Sequence, residues 1–212
     1  LIDTGVKGGA YETGTPNDGS RPPLARMSKI AGRTSLAVGQ YFLLKPNKGI
    51  GTLFGKFEKI QAREVSVVGA GVAGKEAISK GIVSGAHVNV LDISEQKLQY
   101  LAKEFGTDNV SYINSTPENI SNAISESDLV IGSVYVVGKE APKVITKEML
   151  KNMKPGSVLV DISIDQGGCI ETSRPTTHDD PVFVEEEVLH YCVTNMPGAV
   201  PLTASLLSLI HI

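Results

Sequence analysis

Val65-Ser-Val-Val-Gly69-Ala-Gly71-Val-Ala-Gly74 runs from an apolar strand into a G-x-G-x-x-G turn, and His87-Val-Asn-Val-Leu-Asp92 is a second apolar strand ending in a carboxylate. A helix-length segment separates the two. Strand, glycine turn, helix, strand and acid, in that order, are the signature of a dinucleotide-binding turn. Gly69 permits the tight turn, Gly71 lets backbone approach a pyrophosphate, and Gly74 lets the helix pack close to its strand. Val72 and Ala73 open that helix, whose unpaired N–H groups face the anion. Asp92, 23 residues beyond Gly69, is placed to accept hydrogen bonds from a ribose diol. Its charge opposes a 2′-phosphate, so NAD is expected rather than NADP.

From residue 63 onward, strands and helices alternate, the pattern of a parallel sheet with helices on both faces. Strands are expected at 65–68, 87–91, 110–113, 129–134 and 157–161, with a last one near 188–193. The helix at 72–84 turns Ala73, Ala77, Ile78 and Ile82 inward. The next opens at Ser94, closes at Gly106 and buries Leu98 and Leu101. Thr116-Pro117-Glu118 starts another, because proline at the first helical position loses nothing, and a short helix is expected at 146–153. The fold class is α/β, a doubly wound parallel sheet of the Rossmann type, with ligands expected outside the carboxyl ends of the strands.

Before that domain, Leu24, Met27, Ile30, Ala31, Leu36, Ala37, Tyr41 and Leu44 recur at roughly helical spacing, with Ser28 near the start as a candidate cap. Two prolines precede this segment, and Pro46, Gly49, Gly51 and Gly55 end it, as expected of an interdomain connector. Four parts follow: a remnant of a preceding domain at 1–23, a connector helix at 24–45, the nucleotide-binding domain at 46–194, and the start of a second connector at 195–212. Leu1 and the apolar end at 206–212 read as cut ends, since termini are ordinarily polar and exposed.

Composition narrows the function classes. A net charge of −3 and no Lys/Arg stripe interleaved with aromatics give no reason to expect nucleic acid. No apolar run approaches the roughly 20 residues of a membrane helix. Two cysteines, Cys169 and Cys192, are too few for a disulfide framework and suggest a reducing compartment, so the cytoplasm is expected.

The carboxyl ends of the later strands carry the remaining chemistry. Gly132-Ser133-Val134 ends one, and Asp161-Ile-Ser-Ile-Asp165-Gln-Gly-Gly168 ends the next. Tips of neighbouring strands converge where a nicotinamide would lie, and a carboxylate there can orient its amide or handle a proton beside a hydride transfer. Asp165 is the preferred candidate, because Gly167-Gly168 permits close backbone approach; the competing reading is that it caps a strand-end turn. His178, in Thr176-Thr-His-Asp-Asp180, reads as solvated turn chemistry, and no metal site is expected. His190 is expected in the core with a hydrogen-bond partner, and both cysteines as small buried hydrophobes. Glu185-Glu-Glu187 reads as a turn before the last strand, and 195–201 as a chain exit or a closure over the cofactor.

These residues resemble the alanine dehydrogenases. The resemblance rests on Ala10-Tyr-Glu-Thr, Met27-Ser-Lys-Ile-Ala-Gly-Arg33, the glycine turn, Val90-Leu-Asp-Ile-Ser94, Ala141-Pro-Lys-Val-Ile-Thr146, Met153-Lys-Pro-Gly-Ser157, Val160-Asp-Ile-Ser-Ile-Asp-Gln-Gly-Gly168, Pro175-Thr-Thr-His178 and His190-Tyr-Cys-Val-Thr-Asn-Met-Pro-Gly-Ala-Val-Pro201. It implies oxidative deamination of L-alanine to pyruvate and ammonium, with hydride passing to NAD, in a homo-oligomer that is usually a hexamer. By the same resemblance Ser28 contacts cofactor phosphate, and Asp92, Ile93 and Lys97 lie at the adenosine end. Ser133, Val134 and Tyr135 pass under the nicotinamide ribose, with Ile162 nearby. Asp165 matches the catalytic aspartate, and Asn195 and Met196 flank the nicotinamide. The family's catalytic histidine and its substrate-binding arginine and lysine would lie before residue 1. Arg26 and Leu202 depart from the family pattern, and the match fades after Thr203. Two other identities share the architecture: the NAD-binding component of a proton-translocating transhydrogenase, and a non-catalytic NAD-binding module.

Overall fold

The computed structural model describes residues 22–136 and 138–207. Most of the expected remnant at 1–23 and the last five residues of the expected second connector lie outside them. The described residues form α1 (Pro22–Phe42), β1 (Glu64–Val68), α2 (Val72–Val83), β2 (His87–Asp92), α3 (Glu95–Phe105), β3 (Val110–Asn114), α4 (Pro117–Ser125), β4 (Leu129–Gly132), α5 (Lys147–Leu150), β5 (Val158–Asp161), β6 (Val182–Glu185), β7 (Val188–Tyr191) and α6 (Pro201–Leu207).

The strands make one sheet in the order β3-β2-β1-β4-β5-β7-β6, parallel except for the β6–β7 pair. Alternate strand residues feed two cores. Val65, Val67, Val88, Val90, Ile131 and Val160 face α1, α2 and α3 through Leu36, Ala77, Ile78, Leu98 and Leu101. Val68, Leu91, Val130 and Leu159 face α4 and α5 through Ile120, Ile124 and Leu150. Covering on both sides explains why these strands are apolar runs rather than alternating ones.

Local signals placed several helix ends correctly. Ser94 and Thr116 cap α3 and α4 with side-chain oxygens that accept from Lys97 N–H and Asn119 N–H. The short helix is a single turn, capped by Thr146, rather than the expected 146–153. Within α2 the fully buried positions are Gly74, Ala77, Ile78 and Gly81, whereas Ala73 and Ile82 are half-buried. Small residues form that seam because α1 lies along it: a Cβ on Gly32 of α1 would stand 2.1 Å from the Ala73 carbonyl oxygen. The helix α1 begins at Pro22, so Ser28 sits two turns inside it and caps nothing.

The antiparallel strand β6 was not foreseen. It pairs with β7 through a hairpin whose turn residues Glu186 and Glu187 have φ of 50° and 60°. That left-handed turn ordinarily carries Asn or Gly, so three glutamates hid the hairpin while still marking the turn.

His190 fills the expected core role. It is fully buried; its Nδ1 donates to the Val188 carbonyl at 2.9 Å, which leaves Nε2 to accept from Thr172 Oγ1 at 2.8 Å. Burial pushes the imidazole pKa below its ordinary value, with the Val188 bond opposing. The folded core therefore resists a proton that the unfolded chain accepts. Stability on this account is level above about pH 6.5 and falls as the pH drops below it. Urea unfolding at about pH 5.5 and about pH 7.5 checks this: His190→Gln is expected to shrink the difference between the two, and an undiminished difference assigns the loss to other groups.

Candidate dinucleotide site

Register brings the expected tips together. Val68 of β1 pairs with Gly132 of β4, which pairs with Asp161 of β5. The residues that follow, Gly69, Ser133 and Ile162, therefore leave adjacent strands at the same level. The order of the sheet reverses between β1 and β4, which opens the crevice used by ligands in this architecture.

On one side of that crevice the glycine turn is held by backbone. Gly69 N–H donates to the Leu91 carbonyl at 2.8 Å, and Ser133 Oγ donates to the Gly69 carbonyl. Gly69 has φ +94°, and a Cβ there would crowd the Ser133 carbonyl oxygen at 2.7 Å. At Gly74 a Cβ would stand 1.9 Å from the Gly69 carbonyl oxygen, which is how closely α2 passes over the turn. Gly71 is the opposite case: nothing lies within 4 Å of where its Cβ would be. The start of α2 also lacks the side-chain cap that α3, α4 and α5 possess. Its first N–H groups, those of Val72 and Ala73 among them, therefore have no capping side chain, which fits a pyrophosphate.

Asp92 closes the far end. Its carboxylate accepts from Ala70 N–H at 2.8 Å, Ser94 N–H at 2.9 Å and Lys97 Nζ at 2.8 Å, and the residue is buried. Burial pushes its pKa up; the Lys97 pair and the two backbone donors outweigh that, so the net shift is downward. The acid is thus ionised, and it is already paired with Lys97 before any ribose arrives. Ile93, beside it, is 83% exposed.

The other side of the crevice is the 133–136 segment and the 3-10 turn Ile162–Gln166. Ser133 is buried, Val134 half-buried and Tyr135 exposed. Ser163 Oγ donates to the Val134 carbonyl at 2.8 Å and so joins the two loops. Asp165 is exposed, and its Oδ1 accepts from Asn195 N–H at 3.4 Å. It does not cap the turn: Asp161 does, accepting from Ser163 N–H at 3.0 Å. Asp161 is the residue that the sequence reading passed over, and a carboxylate at the last position of a buried strand was the available signal. Gly168 makes one close approach within the protein itself, because a Cβ there would lie 2.7 Å from Asp161 Oδ2.

Met196 is buried at 3% exposure within the core, so its side chain packs inward while Asn195, in a left-handed conformation, stays exposed. His178 is exposed as expected, yet it is more than solvated turn: its Nε2 lies 3.3 Å from the Asn195 carbonyl oxygen. Ser28 is half-buried on α1, one turn before Gly32 and so towards the start of α2.

The Alanine dehydrogenase/PNT, C-terminal domain model matches residues 35–209. Alanine dehydrogenase of Staphylococcus haemolyticus is 48% identical over 207 residues, 97% of this chain and 55% of that protein. Its counterpart in Geobacillus stearothermophilus is 47% identical over 206 residues, with the same coverages. Among solved structures, an L-alanine dehydrogenase superposes with a TM-score of 0.90 at 41% identity, covering 93% of this chain and 55% of that one. A transhydrogenase from Sinorhizobium meliloti gives a TM-score of 0.74 at 28% identity, covering 87% of this chain and 52% of that one. The chain thus spans about half the length of the curated relatives it matches. With the family model covering most of the sequence and the sheet superposing on an L-alanine dehydrogenase, this chain belongs to the alanine dehydrogenase/PNT C-terminal domain family.

Proposed function

We propose that this chain is the NAD-binding half of an enzyme that oxidatively deaminates L-alanine to pyruvate and ammonium. The carrying observation is the uncapped start of α2, open above Gly71, with the ionised Asp92 at the end of the neighbouring strand. Bound NAD supplies the hydride acceptor. This chain's own residues hold and orient it. Val72 and Ala73 amides and Ser28 face the pyrophosphate; Asp92, Ile93 and Lys97 take the adenosine end; Ser133, Val134, Tyr135, Ile162 and Asn195 line the nicotinamide end. Asp165 takes the substrate's proton on its carboxylate, which its exposure at the crevice and its bond to the Asn195 amide support.

The alternative, a transhydrogenase component, fits less well, because the relatives with the higher identity carry the other name. No helix among the described residues is long and apolar enough to cross a membrane. Both cysteines are free, which fits a reducing compartment such as the cytoplasm. We place the complete protein there as a homo-oligomer, with Leu53, Phe57 and Ile60 as exposed apolar positions available to neighbouring copies or domains.

Calorimetric titration of this chain with NAD and NADP tests the reading. NAD is expected to bind more tightly, and Asp92→Ser is expected to shrink the preference by about 10-fold, since it removes a buried negative charge beside the 2′ position and leaves Lys97 in place. A chain that binds neither nucleotide overturns the proposal. An unchanged NAD/NADP ratio removes Asp92 from it.

A further inference from the structure

The loop from 162 to 173 holds Ile162 and Asp165 at its start, where Ser163 and Ile164 are buried and Ile162 packs against the core. Asp165 and Gly167 are exposed, and Gly167 and Gly168 both have positive φ, at 85° and 76°. Beneath this exposed tip lies a single carboxylate that ties its two ends together. Asp161 is fully buried at the end of β5. Its Oδ1 accepts from Ser163 N–H at 3.0 Å, and its Oδ2 accepts from Cys169 N–H at 3.0 Å, Ile170 N–H at 3.3 Å and Ser173 Oγ at 2.6 Å. The Cys169 thiol adds a weak contact at 3.6 Å. Donors on both sides of the exposed tip, at 163 and at 169–173, thus converge on one side chain. The loop is pinned at both feet. Lys143 Nζ adds an outer strut by donating to the Gly167 and Gly168 carbonyls.

Every partner of Asp161 is a donor, so the group must be an acceptor on both oxygens. An amide in its place would aim N–H at N–H on one side. Burial pushes the Asp161 carboxyl above its ordinary pKa, yet three backbone N–H groups, which can only donate, already occupy both oxygens, and breaking those bonds leaves several donors unsatisfied at once. Shape reinforces chemistry here, because the chain passes over Oδ2 at Gly168 with no room for a Cβ. The first foot also ties the loop to its neighbour, through Ser163 Oγ and the Val134 carbonyl.

We infer that Asp161 is a positioning residue for the nicotinamide end of the nucleotide, setting Ile162 and Asp165 against the crevice without touching the ligand. This rests on the nucleotide reading above. The adenosine end is served by different elements, the glycine turn, Asp92 and Lys97, none of which contacts Asp161. Loss of Asp161 therefore has an uneven effect along one ligand.

The test uses this chain with two ligands, NADH and ADP-ribose, the second carrying everything except the nicotinamide. Calorimetry on Asp161→Asn is expected to show NADH affinity reduced about 10-fold with ADP-ribose within about twofold of wild type. Ser173→Ala, which removes one donor and leaves the carboxylate, is expected to act in the same direction by about threefold. It decides the matter if Asp161→Asn does not fold. Equal weakening of both ligands, or of neither, overturns the inference, because a general structural loss strikes both ends alike. Wild-type chain that binds ADP-ribose and NADH equally also overturns it while leaving nucleotide binding intact. Wild-type chain that binds neither removes the nucleotide reading itself.

Discussion

Gly74→Ala is expected to abolish nucleotide binding and to lower the melting temperature of this chain by about 10 °C. The added methyl carbon would stand 1.9 Å from the Gly69 carbonyl oxygen and 2.8 Å from Ser133 Oγ. The first of these is backbone, so no rotamer change relieves it; α2 must lift away from β1 or the glycine turn must open. Overpacking of this kind costs about 3 kcal/mol, and at this chain length each kcal/mol is worth about 2–4 °C. Either relief also moves the helix start that faces the crevice. Gly71→Ala separates the two effects. Its Cβ meets nothing within 4 Å, so the fold is expected to keep its melting temperature within about 2 °C. The methyl nevertheless occupies the space through which a pyrophosphate would approach, and NAD affinity is expected to fall at least about 10-fold. A Gly74→Ala protein with unchanged melting temperature and NAD affinity refutes the close-packing account. A Gly71→Ala protein with undiminished affinity refutes the open-cradle account.

Much of this architecture was legible because its signals are local. An apolar run, a glycine turn, a capping Ser94 or Thr116 and a proline at a helix start each act within a few residues, and the alternation of strand and helix follows from them. The hairpin joining β6 to β7 was not legible, because Glu186 and Glu187 adopt left-handed backbone without the residues that ordinarily advertise it. The site divides the same way. Asp92 was readable from its distance to Gly69, but Lys97 as its direct partner needed the turn of α3 to bring the two within 2.8 Å. Asp161 and Asp165 are four residues apart in one motif, and no spacing rule tells the buried clamp from the exposed carboxylate. Only the path of the 162–173 loop, folded back over β5, makes that distinction. The burial of Met196 was not legible for a related reason: it depends on the 3-10 turn after Asn195, which places it in the core.

Asp165 carries the second large effect. In a chimaera where this chain replaces the matching 55% of the Staphylococcus haemolyticus alanine dehydrogenase, Asp165→Asn is expected to cut turnover by about 100-fold or more, the usual worth of a positioned proton-transfer group. NADH affinity is expected to change by no more than about threefold, because the amide keeps the size of the side chain and can still accept from Asn195 N–H. That split separates the proton role from loop positioning. Were Asp165 merely holding Asn195 in place, the asparagine variant would retain most of its turnover, since the bond it makes through Oδ1 survives the change. The comparison with Asp161→Asn in the same chimaera sharpens the assignment. The clamp variant is expected to weaken NADH and slow turnover together, whereas the Asp165 variant slows turnover with the nucleotide still in place. A turnover loss at Asp165 that is matched by an equal loss of NADH affinity would place it with the residues that hold the cofactor, and the proton would have to be taken by another group.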